Sequence, residues 1–145
     1  MSLDGAYDDN NIFARIIRGE IPAAKVFEDA DVLAFMDAFP QARGHVLVIS
    51  KKSKARNLLD VKPEVLSHMM ADVQRVAKAM RKALNPDGIV VTQFNGAPAG
   101  QTIFHLHFHL IPRWSDTPPR AHGEGGMADA AELAALAKQI AADLY

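Results

Sequence analysis

The stretch Ile103-Phe104-His105-Leu106-His107-Phe108-His109-Leu110-Ile111-Pro112 holds three of the six histidines in the chain, at positions i, i+2 and i+4. Alternation with a period of two is the signature of a β-strand, whose successive side chains point to opposite faces. His105, His107 and His109 therefore share one face, and Phe104, Leu106, Phe108 and Leu110 the other. The apolar set is fit to pack on a core. The histidine set costs free energy if buried without partners, so it needs a polar reason.

Outward from this strand, the chain reads as one α+β domain. The segment Asn95 to Thr102, with Gly96 and Gly100, links the histidine strand to another strand at Ile89 to Phe94. Before that lies a long amphipathic helix from Pro63, a good first-turn residue, to Leu84. Its apolar stripe is Val65, Leu66, Met69, Val73, Val76, Ala77, Met80 and Leu84, with His68 near the edge. Asn85 to Gly88 ends it. Earlier strands are expected at Lys25 to Glu28, Val32 to Asp37 and His45 to Ser50. A turn at Glu28 to Asp31 joins the first two. Ile12 to Arg18 has helical spacing with Gly19 as its C-cap. Ser53 to Asp60 has the makings of a short helix, and Ala131 to Leu144 of an alanine-rich one. Residues 1–10, polar with three aspartates, read as a poorly ordered leader. Residues 11–114 form the domain proper, and 115–145 a loop and helix belonging to it. Short hairpin links favour an antiparallel sheet with helices packed on one face.

Composition narrows the function. At 145 residues and 49% hydrophobic, the chain suits a single core. A formal net charge of −1, with no basic run, argues against nucleic acid as the partner. The absence of cysteine excludes disulfides and thiolate metal sites. No apolar run reaches membrane-spanning length and no signal peptide is legible, so a cytoplasmic protein is expected.

Three uses of the histidine face stay open on the residues alone. A metal is one. However, with a strand rise of about 3.3 Å, His105 and His109 are roughly 13 Å apart at Cα, too far for one zinc to take all three histidines. A third ligand would have to come from His45, His68, His122 or a carboxylate. Purely structural histidines are the second use. The third is nucleophilic or acid–base chemistry, since neutral imidazole can attack an electrophilic phosphorus. Gly96 and Gly100 let backbone N–H groups approach an anion, and Gln101 and Thr102 add donors.

His105 to Ile111 also matches the pattern His-φ-His-φ-His-φ-φ, with φ hydrophobic. Asn95, Gly100-Gln101-Thr102, Pro112-Arg113, Ile12 to Ile17, Gly19 to Pro22, Phe35-Met36-Asp37 and Gly44 to Ile49 fall around it in order. On these motifs the chain resembles the histidine triad (HIT) family over residues 11–114, nearest its Hint-like, bacterial hydrolase branch. The resemblance implies a five-stranded antiparallel sheet and a homodimer whose sheets join through the long-helix side. It implies hydrolysis of purine nucleoside phosphoramidates or related adenylates at the α-phosphate, with dinucleoside polyphosphates as the alternative substrate. A nucleotide-binding regulatory protein with incidental turnover is a further alternative. His107 takes the nucleophile's place, oriented by the carbonyl of His105. His109 would bond the phosphate oxygens, and His45 would complete the site. Gln101 and Thr102, with Gly100, would contact the phosphate or departing group. Asn95 would bind phosphate or ribose, Asp37 the ribose hydroxyls, and Ile12, Phe13, Ile16 and Phe35 the base.

Departures from the family pattern bear on metal. Asn11 and Ala14 stand where many bacterial relatives carry the cysteines of a structural zinc, so no metal or other cofactor is expected. His109 stands where the transferase branch has glutamine, which favours hydrolysis.

Overall fold

A computed structural model describes residues 2–118, 120 and 124–144. His122, weighed above as a ligand residue, lies outside them. The elements run in the order α1 (Ile12–Ile17), β1 (Lys25–Glu28), β2 (Val32–Met36), β3 (Val46–Ser50), α2 (Pro63–Leu84), β4 (Gly88–Thr92), β5 (His107–Arg113) and α3 (Ala130–Ala141). The strands form one antiparallel sheet in the order β1-β2-β3-β5-β4. β5 thus lies between two neighbours. Ile49 faces His107 and Leu47 faces His109 across the β3 pairing.

The sheet is covered on both faces, not on one. Val32, Ala34, Met36, Val46, Val48, Phe108 and Leu110 pack with Met69, Val73, Val76 and Met80 of α2 and with Leu136, Ala137 and Ile140 of α3. Leu33, Phe35, Leu47 and Ile49 pack on the other side with Phe13 and Ile16 of α1. The expectation of helices on one face is therefore corrected. The composition of β2 and β3 explains it: both are buried along their whole length, as strands covered on both faces are. The α2 stripe is used inside this single copy, with Val65, Leu66 and Ala77 partly buried against it.

Other expectations are adjusted. Ser53 to Asp60 is not helical. The Asp60 carboxylate accepts from the N–H groups of Arg56 and Asn57, and the Asn57 side chain accepts from Leu59 N–H. Such local bonds offer the backbone an alternative to the helix. The histidine strand begins only at His107, because Leu106 N–H turns aside to the carbonyl of Ala55 at 3.0 Å. Strand β4 ends at Thr92 and not Phe94, while α3 begins one residue earlier than expected and ends at Ala141. Residues 2–10, expected as a loose leader, instead make defined hydrogen bonds to Arg18, Arg56 and Asn57. None of the described helices is long and apolar enough to cross a membrane.

Candidate active site

The triad histidines are held in unequal ways. His107 donates its Nδ1–H to the backbone carbonyl of His105 at 2.7 Å, which in the neutral ring leaves the lone pair on Nε2. His105 donates Nε2–H to the carbonyl of Ser50 at 2.8 Å, so its Nδ1 carries a lone pair, and that atom accepts the Tyr7 hydroxyl at 2.6 Å. Burial holds His105 far below the ordinary imidazole range, at about 4, although the Ser50 carbonyl acts the other way. It is a neutral supporting ring.

A second chain of bonds sets the tautomer of His109. The backbone N–H of Gln41 donates to His45 Nδ1 at 3.0 Å, which puts the His45 proton on Nε2. That nitrogen lies 3.0 Å from His109 Nδ1 and 3.4 Å from the Asp37 carboxylate. With His45 donating, His109 accepts on Nδ1 and carries its own proton on Nε2. The His107 and His109 ring centroids are 5.0 Å apart, so a ring with its lone pair on Nε2 neighbours a ring with its proton on Nε2. Asp37, His45, His105, His107 and His109 are all buried. Asp37 spends one oxygen on the N–H of Phe39 at 2.8 Å.

The glycine loop is stapled by its own glutamine. Gln101 accepts from Gly96 N–H at 2.8 Å and donates to the carbonyls of Arg56 and Ile103 at 2.7 and 3.0 Å. Its amide is thus engaged in shaping the loop. Gly96 at φ 87° and Gly100 at φ 110° adopt backbone that side-chain-bearing residues rarely take, around a 3-10 turn at Ala97–Ala99. Thr102 is exposed at the loop's end. Asn95 accepts from Leu58 N–H and from Gln93, tying the loop to the segment before α2.

Of the residues expected around a base, Phe13, Ile16 and Phe35 gather on the histidine side of the sheet, whereas Ile12 is 48% exposed. Phe13 stands edge-on to His107, centroids 4.9 Å apart, and Phe94 edge-on to His109 at 5.4 Å. Sequence reasoning missed Tyr7, Ser50, Gln41, Arg56 and Asn57. Ser50, Gln41 and Arg56 meet the site through backbone groups, which leave no mark in residue type. Tyr7 was hidden by the polar composition around it.

Asp37, His45 and His109 bring one ligand atom each within 4.8 Å of one another, as do Asp29, Asp31 and His68. In the first group the two imidazoles already bond each other. The structural zinc of cysteine-bearing relatives does not fit: Ala14 has no ligand atom, and the Asn11 side chain accepts Ala14 N–H at 3.0 Å as the N-cap of α1.

Comparisons with known proteins converge on one family. A family model described as HIT domain matches residues 18–116. A crystal structure of a Hit-like protein involved in cell-cycle regulation from Bartonella henselae superimposes with TM-score 0.88 at 50% identity, covering 96% of this chain and 100% of that one. The protein named hit from Bacillus subtilis (strain 168) is 42% identical over 106 residues, 73% of this chain and 72% of its own length. Adenosine 5'-monophosphoramidase hnt1 of Schizosaccharomyces pombe is 39% identical over 102 residues, 70% of this chain and 73% of its own.

Proposed function

The chain belongs to the HIT domain family, and from that premise we propose that it hydrolyses purine nucleoside phosphoramidates or related adenylates at the α-phosphate. The observation that carries this reading is the bond from His107 Nδ1–H to the His105 carbonyl, which puts the His107 lone pair on Nε2 beside His109. In this reading His107 Nε2 attacks the α-phosphorus and the phosphorus–nitrogen bond of the substrate breaks. The leaving nitrogen takes up a proton from solvent and departs as the amine, leaving a nucleotidyl-histidine. Water then attacks the same phosphorus and gives up a proton to solvent, the His107 imidazole leaves with its Nδ1–H retained, and a nucleoside monophosphate is released. His109 Nε2–H and the Thr102 hydroxyl at the end of the glycine loop stabilise charge on the non-bridging oxygens, a term that is often the largest in such catalysis. The likeness to a monophosphoramidase supports the choice of substrate class.

The test is a comparison of kcat/KM for adenosine phosphoramidate and diadenosine tetraphosphate. A clear preference for the phosphoramidate is expected. The opposite order would transfer the reading to dinucleoside polyphosphates, and binding of AMP with neither substrate cleaved would favour a regulatory protein.

The reading includes a homodimer. β4 is an outer strand of the sheet, with Val90 and Val91 38% and 46% exposed, and an exposed apolar outer strand invites pairing.

A further inference from the structure

Residues 2–9 run as a strap across the site and are fastened along their length. Arg56 donates to the carbonyls of Ser2 and Ala6 at 3.2 and 3.0 Å, and buried Asn57 donates to the carbonyl of Leu3 at 3.0 Å. Arg18 donates to the carbonyl of Asp9 at 2.7 Å, and Lys54 pairs with the Asp9 carboxylate at 2.9 Å. One end of the strap lies on the glycine loop: a Cβ at Gly96 would come within 3.1 Å of Ser2 Oγ and 3.2 Å of Leu3 Cδ2. Between these ties Tyr7 turns in and meets His105.

We propose that Tyr7 is a positioning residue of the histidine site: its phenolic O–H locks the His105 ring and, through the His105 carbonyl, steadies the ring of His107. A carbonyl can only accept, so the bond to Ser50 obliges His105 to carry its proton on Nε2 and a lone pair on Nδ1. His105 is 1% exposed, so solvent does not satisfy that lone pair, and the Tyr7 hydroxyl does at 2.6 Å. Burial raises the pKa of Tyr7, which keeps the phenol a donor. A buried acceptor that loses its donor must move or stay unsatisfied. Movement at His105 carries its own backbone carbonyl, the group that orients His107 at 2.7 Å. Phe13 packs edge-on against both rings, at 6.2 Å from His105 and 4.9 Å from His107, and would transmit the same shift.

The kinetic half of this inference rests on the hydrolase reading above; the spectroscopic half does not. In 15N-histidine-labelled protein without substrate, Tyr7→Phe should move the His105 Nδ1 resonance and weaken the low-field signal of His107 Nδ1–H. In turnover of adenosine phosphoramidate, the same variant should lower kcat about 10- to 100-fold with KM nearly unchanged, the scale of a small misplacement. The chain has two tyrosines, Tyr7 and Tyr145, so fluorotyrosine in a Tyr145→Phe background reports on Tyr7 alone. Fluorination strengthens the phenol as a donor without removing it, and the His105 Nδ1 shift should grow with each added fluorine. That graded response also serves if the phenylalanine variant folds poorly. An unmoved His105 resonance across the series overturns the bond, and a moved resonance with unchanged kcat overturns the positioning role. If the unaltered protein cleaves no phosphoramidate, the hydrolase reading fails while the His107 signal still decides the positioning.

Discussion

Gln41 acts on the site through its backbone N–H, which by way of His45 decides which nitrogen of His109 bears the proton. Roles at this scale are set by who donates to whom, and they can be separated by substitution. His107→Ala should abolish turnover and the nucleotidyl adduct that rapid quench and mass spectrometry would detect in the parent; an adduct surviving in the variant would remove His107 from the nucleophile's role. His109→Ala should retain the adduct but lose about 100- to 1,000-fold in kcat, the usual loss for one donor on developing phosphate or oxyanion charge. His105 also writes itself into stability. Its folded pKa of about 4 lies below the ordinary 6.5, so the unfolded chain binds the extra proton between those values. The stability is whole above pH 6.5 and falls as pH drops toward 4, by up to about 3 kcal/mol if the whole shift is expressed. His68 has the opposite sign, since Asp29 beside it raises its pKa, and it stabilises below 6.5. Thermal melts from pH 7 to 4 should therefore fall more steeply in His68→Ala than in the parent.

Among the elements, the glycine loop and the segment Ser53 to Asp60 depend on each other. Gln101 joins the Gly96 N–H to the Arg56 carbonyl, and Asn95 accepts from Leu58 N–H. Gln101→Leu would leave the buried Gly96 N–H without its acceptor, at a cost of about 1–3 kcal/mol seen in the melting transition. It should also raise KM more than it lowers kcat, because the loop and not the nucleophile is disturbed. Elements were legible to different degrees for physical reasons. The α2 stripe repeats over six turns of helix and could be read directly, whereas Ser53 to Asp60 has helical composition but finds local partners for its N–H groups in Asp60 and Asn57. The histidine strand was read too long at its start, because nothing in the alternation reveals that Leu106 N–H goes to Ala55. The spacing puts His68 near the edge of the α2 stripe, but its placement between Asp29 and Asp72, at 3.1 and 3.2 Å, joins the β1–β2 turn to α2 and came only with the fold.

At the scale of the molecule, the sheet is a partition. One face builds a core with α2 and α3, and the other carries the histidines under α1 and the strap. α3 is integral to the core: Ile140 is fully buried, and Ile140→Ala should cost about 2–5 kcal/mol by chemical denaturation. The α2 stripe is consumed within one copy, so the proposed dimer is placed on the outer strand β4. Val91→Lys should convert a dimer to a monomer in sedimentation velocity without lowering stability. A parent that sediments as a monomer at every concentration would end the dimer reading.

The sequence by itself determined the strand that carries three histidines on one face, the long helix and the α+β class, because these rest on short periodicities written in adjacent residues. It also placed His107, His109, His45 and Asp37 as candidates through the resemblance to a family. Only the tertiary structure decided that both faces of the sheet are covered, that residues 2–9 are bound down, and that Gln101 shapes its loop from within. It alone assigned the protons of His45, His105 and His109, because a tautomer is fixed by the groups that bond the two ring nitrogens. For these histidines those groups are Ser50, Tyr7, Gln41 and a neighbouring imidazole, all distant in sequence or silent in residue type.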